Sequence, residues 1–155
     1  WDLSTASYDS VSFSVSGQDT NPQSLFFKPD GTKMYVLGSS TERVRQYSLS
    51  TAWDLSTASY DSVSFSVSGQ ATSPASIYFK PDGLRLFVLD FSSGTIYQYS
   101  VSTAWSLVGV SYDTVSFNVA AQESLPFGIT FKPDGTKMYL VGLSSDTVYQ
   151  YSLTD

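Results

Sequence analysis

Apolar and small polar residues alternate through Val11-Ser-Phe13-Ser-Val15-Ser, the pattern of a strand that buries one face. Residues 17–22 carry turn chemistry, and Ser24-Leu-Phe-Phe27 is a short apolar run. Pro29-Asp30-Gly31 then predicts a tight turn, with Pro fixing φ and Gly supplying positive φ. Lys33-Met-Tyr-Val-Leu37 is a second run apolar on both faces, residues 38–42 form a loop, and Val44-Arg-Gln-Tyr-Ser-Leu49 closes the group. Four strands result, with a graded polarity: the runs around Phe27 and Val36 are apolar on both faces, the one around Tyr47 is mixed, and the one around Phe13 is apolar on one face. Strands apolar on both faces must be sandwiched.

The pattern then recurs at an offset of 52 residues, opening at Trp1, Trp53 and Trp105 and giving units 1–52, 53–104 and 105–155. An F-K-P-D-G stretch recurs at 27–31, 79–83 and 131–135, and Q-Y-S at 46–48, 98–100 and 150–152. A period near 50 rich in β-formers predicts an array whose units bury their cores against one another. A four-stranded sheet buried at its inner edge and wetter at its outer edge is a propeller blade. The predicted fold is therefore all-β, three four-stranded antiparallel blades in a single array over 1–155. The F-K-P-D-G-x-x-M/L-Y/F-V/L pattern followed by V/I-x-Q-Y-S resembles the blade core of the broad YVTN/NHL-like propeller superfamily, with mild departures at Leu84, Arg85 and Phe87. That resemblance implies a blade and says little of activity, since such propellers host many functions.

Propellers have four to eight blades, so three do not close. The chain opens with an outer strand at 11–16 and finishes with inner strands ending at Tyr151-Ser-Leu153. Joined head to tail, the N-terminal strand of one copy completes the last blade of the next. The expected assembly is a homodimer of six blades, the alternative a homotrimer of nine. The opening at a repeat boundary without an initiator Met reads as an excised or engineered fragment of a longer repeat protein, and recent duplication is read from the identity of 1–18 with 53–70.

Composition narrows function. Charged residues are 14%, the net charge is -6 and no basic stripe occurs, which speaks against nucleic acid. No apolar run spans a bilayer. With no His and no Cys, thiol chemistry, Cys-based zinc sites and the commonest general base are absent. The Pro-Asp-Gly turns lack the further oxygen ligands of a calcium loop. No catalytic residue, metal or cofactor is therefore expected. The columns Asp19/Ala71/Glu123 and Glu42/Gly94/Asp146 do not give a consistent acidic set.

Alternating connections place the loops 17–23 and 38–43, with their repeats, on one face. Loops on a rigid scaffold carry function, so the candidate ligand face comprises Asp19, Asn21, Gln23, Glu42, Arg43, Asp90, Glu123, Phe127 and Asp146. The functional expectation is a non-catalytic, self-assembling scaffold or recognition module, from an extracellular or virus-associated setting. The alternative is a carbohydrate-binding, lectin-like propeller with pockets between blades. The sequence names no small-molecule or glycan ligand.

Overall fold

The computed structural model describes residues 2–154. The strands are β1 (Pro22–Phe27), β2 (Lys33–Gly38), β3 (Arg43–Leu49), β4 (Ala58–Ser66), β5 (Pro74–Phe79), β6 (Arg85–Asp90), β7 (Thr95–Val101), β8 (Val110–Asn118), β9 (Pro126–Phe131), β10 (Lys137–Gly142) and β11 (Val148–Ser152). They form antiparallel sheets in the orders β1-β2-β3-β4, β5-β6-β7-β8 and β11-β10-β9. The fold is all-β and propeller-like. The first two sheets have four strands and the third has three.

The inner strands β1, β5 and β9 lie side by side. The Ser24 hydroxyl accepts from the Ile77 N–H at 3.2 Å, and the Ser76 hydroxyl accepts from the Ile129 N–H at 3.5 Å. The core lies between the sheets: Tyr35, Leu37, Phe79, Val88 and Tyr99 at the first junction, Leu89, Ile96, Ile129 and Leu140 at the second. Packed between the other two, β5 is almost wholly buried, whereas β1 and β9 each keep one face partly open, with Leu25 and Phe127 exposed.

Each Pro-Asp-Gly turn closes in the same way. Gly31 sits at φ 74, and the Asp30 carboxylate accepts from the Thr32 N–H at 3.0 Å. Trp53 lies on the bare face of Gly31 and Trp105 on that of Gly83, where a Cβ would overlap the indole. Trp105 enters the first junction, where its carbonyl accepts the Tyr35 hydroxyl at 2.6 Å. Tyr47 and Tyr99 are likewise fully buried, while Tyr8 is exposed. Trp1, grouped with these aromatics by sequence, lies outside the described residues.

The segment 11–16 makes no strand pairing among the described residues, although its alternation predicts a strand. It nevertheless packs as the equivalent strands do. Phe13 meets Tyr47 edge-on, just as Phe65 meets Tyr99 and Phe117 meets Tyr151. Ser10 has φ 57, matching Ser62 at 57 and Thr114 at 58, the bulge residues of β4 and β8.

Candidate functional site

Hydrogen bonds tie the two loop sets of the candidate face together: the Ser39 N–H donates to the Asn21 carbonyl at 3.0 Å, Phe91 to Ser73 at 2.9 Å and Leu143 to Leu125 at 2.9 Å. A buried carboxylate sits under each pair of loops. Asp19 accepts from the Asn21 N–H at 2.8 Å, Thr41 at 2.5 Å and the Arg45 guanidinium at 3.1 Å, and also from Ser40. In the second sheet Asp90 accepts from the Ser73 N–H at 2.6 Å, Ser92 at 2.8 Å and the Ser93 N–H at 2.9 Å. In the third, Glu123 accepts from the Leu125 N–H at 2.9 Å, the Ser145 hydroxyl at 2.6 Å and Ser144.

These three groups are one repeated feature supplied from two sequence positions. Where a carboxylate stands at Asp19 or Glu123, the strand opposite ends in Gly38 or Gly142, and a Cβ at either glycine would overlap the carboxyl. In the second unit the order is reversed, with Ala71 fully buried and Asp90 reaching in from the other side. The acidic set is consistent after all. Column comparison missed it because the carboxylate changes strands, and the signal available was the linked pairing of Asp with Gly and Ala with Asp.

These carboxylates are buried, not solvated, yet they stay ionised. Burial opposes the ionisation of Asp19, but the hydrogen bonds from Ser40, Thr41, Asn21 and Arg45 outweigh it and hold its pKa at about 2. The hydroxyls of Ser144 and Ser145 bring Glu123 to about 2 against its desolvation. Burial likewise opposes the ionisation of Asp90, and the Ser73 and Ser93 amides overcome it, lowering the pKa. With their oxygens so engaged, the carboxylates fix the loops.

The remaining candidates are spread over the same face. Asn21 is exposed and accepts from Gln23 Nε2 at 2.8 Å, and Gln23 also reaches Ser39 at 3.3 Å. Glu42, at φ 45, gives its carbonyl to the Val67 N–H at 2.9 Å. Arg43 donates to the Ser64 hydroxyl at 3.1 Å. Phe127 is exposed on β9, and Asp146 is exposed at φ 51. Asp19, Asp90 and Glu123 thus sit one per sheet and are not brought together. Among the described residues no group of three or more acidic side chains is placed to hold a metal ion.

No protein-family model matches the chain, and no curated protein matches it in sequence. Solved structures do share its fold. It is similar to a protein of Desulfotomaculum acetoxidans described as functionally unknown (20% identity, TM-score 0.65), over 87% of this chain and 38% of that one. It is similar to a proposed 6-phosphogluconolactonase of Bacteroides uniformis (16% identity, TM-score 0.64), over 86% and 37%. It is similar to the periplasmic gluconolactonase of Pseudomonas aeruginosa (16% identity, TM-score 0.61), over 84% and 35%. The chain spans little more than a third of the length of each, and identities this low show the fold alone.

These likenesses overturn the expectation of a non-catalytic scaffold or a lectin-like module. Proteins described as lactonases share this architecture, against that expectation. The absence of His and Cys does not by itself exclude hydrolytic chemistry. Hydrolysis of a cyclic ester needs a polarised carbonyl and an activated water, and carboxylates and amides can serve both ends.

Proposed function

We propose that this chain is half of an enzyme-type six-bladed propeller. Units 1–52, 53–104 and 105–155 each contribute a four-stranded blade once the segment 11–16 of a second copy completes the third. The assembled ring hydrolyses a lactone or related cyclic ester at the channel mouth, on the face of loops 17–23 and 38–43.

The observation that carries this reading is the likeness of the three sheets to propellers described as gluconolactonases. The open third sheet and the unpaired segment 11–16 support closure by a second copy. On the proposed face, the amides of Asn21 and Gln23 suit a hydroxyl-rich substrate, and Glu42 and Asp146 are the carboxylates free of the loop-fixing role. In the reaction water adds to the ring carbonyl, the ring C–O bond breaks, and a proton appears with the acid product.

Two measurements test it. Light scattering should give twice the 16.9 kDa mass of the chain. A pH-stat assay on glucono-δ-lactone and smaller lactones, with calcium, magnesium or zinc added in turn, should show saturable acid release that falls in Glu42→Gln or Asp146→Asn. Acid release at the spontaneous rate under every condition would discard the enzymatic reading, and any other mass would discard the six-bladed one.

A further inference from the structure

At the junction of the second and third sheets lies a cavity of about 340 Å³, lined by Tyr78, Phe87, Gln98, Phe131 and Gly135 among others. Its counterpart one unit earlier is filled. There the equivalent residues Phe26, Tyr35, Phe79 and Gly83 surround the side chain of Trp105, and Gln46 is the equivalent of Gln98. The Gln46 amide oxygen also accepts the Leu107 N–H at 2.9 Å, while its Nε2 donates to Asp61 at 2.7 Å. One unit on, Gln98 Nε2 still donates to Asp113 at 2.8 Å, but Gly135 has nothing within 4 Å of the place where a Cβ would stand. The residues that would fill this slot follow β11 by the same spacing. By repeat position they are Trp1 and Leu3.

We infer that the slot and the free edge of β11 form one docking site, and that its occupant is the N-terminal segment 1–16 of a second copy of this chain. The inference rests on the two-copy reading above and supplies its contacts. The partner's Trp1 lies on Gly135 between Tyr78 and Phe131, and the partner's Leu3 gives its N–H to Gln98. The partner's segment 6–14 pairs with β11 in the register that β8 keeps with β7. There Ile96 faces Phe117, Gln98 faces Val115 and Ser100 faces Ser111. Val148 is therefore set opposite the partner's Phe13, Gln150 opposite the partner's Val11, and Ser152 opposite the partner's Ser7.

Two further observations point to the same occupant. Asp61 accepts from Lys33 at 3.2 Å and from Gln46, and Asp113 accepts from Gln98 and pairs with Arg85 at 3.6 Å. In the third sheet Lys137 and Gln150 occupy these donor positions without a carboxylate, and the unassigned repeat equivalent is Asp9. The first sheet shows the reciprocal gap. Trp53 is 60% exposed although it packs on Gly31 and Phe27, whereas Trp105, held between two sheets, is 9% exposed. Seated against the third sheet of a second copy, Trp53 becomes as enclosed as Trp105. The partner's segment arrives nearly shaped for the task, since Ser10 already holds the bulge φ of Ser62 and Thr114. Preorganisation of this kind lowers the cost of docking.

The chain has no cysteine, so engineered pairs report directly. The variant carrying Ser7→Cys and Ser152→Cys, oxidised and run without reductant, should form an inter-chain disulfide. The off-register pair Ser14→Cys with Ser152→Cys should stay reduced. Trp1→Ala and Leu3→Ala should each raise the dissociation constant of the assembly at least tenfold, as expected for a buried aromatic or aliphatic anchor. An assembly of the expected mass whose Ser7 and Ser152 cysteines fail to link would overturn the docking geometry while leaving the two-copy reading intact. A disulfide formed within one chain, or a mass of one chain, would overturn both.

Discussion

The carboxyl of Asp19 occupies the space that a side chain on Gly38 would need. In the second unit Ala71 and Asp90 reverse the arrangement, so the same buried hydrogen-bond position is filled from the opposite strand. Each loop pair is thus pinned by one carboxylate and has no space for two.

A double-mutant cycle follows from that exclusion. Gly38→Asp alone brings a second carboxyl onto Asp19 and should cost about 2–4 kcal/mol in denaturant unfolding, through overpacking and like charge. Adding Asp19→Ala recreates the arrangement of the second unit and should restore more than half of the loss. Additive effects would mean that the two positions do not share one space.

The buried tyrosine hydroxyls divide into two kinds. Tyr35 donates to the Trp105 carbonyl, so Tyr35→Phe should cost about 1–2 kcal/mol by leaving that carbonyl unpaired. The Tyr47 hydroxyl is buried without a hydrogen-bond partner, so Tyr47→Phe should be neutral or slightly stabilising. Equal losses in thermal unfolding would contradict this contrast.

Acid should loosen the loop face. Asp19 and Glu123 titrate at about 2 in the folded chain, below the ordinary value near 4 of an unfolded carboxylate. A depressed folded pKa contributes stability that is present in full above the unfolded pKa. That contribution is lost as pH falls through the folded value. Unfolding free energy should therefore be level above about pH 5 and decline between about pH 4 and pH 2. Asp19→Asn should flatten part of that decline. A profile unchanged by the substitution would show that Asp19 is not among the linked groups.

Tryptophan emission should report assembly. Trp53 is largely exposed in the single chain and is enclosed in the proposed ring. Emission should shift to the red on dilution through the dissociation range, and less so in Trp53→Phe. A spectrum independent of concentration across a measured change of mass would contradict the proposed enclosure.

Much of the architecture was legible because it is local. Pro29-Asp30-Gly31 encodes its own turn, and the runs ending at Phe27 and Leu37 announce strands, the second of them covered on both faces. Residues 11–16 show the limit: Phe13 and Val15 carry the correct alternation, yet a strand exists only where a neighbour offers its edge. The carboxylates were hidden for a different reason. Asp19, Asp90 and Glu123 fall in different columns of the repeat, and only packing reveals that they share a place. The proposed catalytic role was least legible, since it depends on which loop groups would converge in an assembly of two copies.

The bulge at Ser10 has a consequence for how such arrays change through evolution. Its backbone is that of Ser62 and Thr114 whether or not a strand lies beside it. A junction built from such preset pieces is indifferent to whether a peptide bond crosses it. Fusing two copies through a linker, or cutting a longer array at a repeat boundary, would leave every packing surface as it was. Gene duplication and gene fission could therefore exchange covalent connection for association, with concentration as the only new requirement.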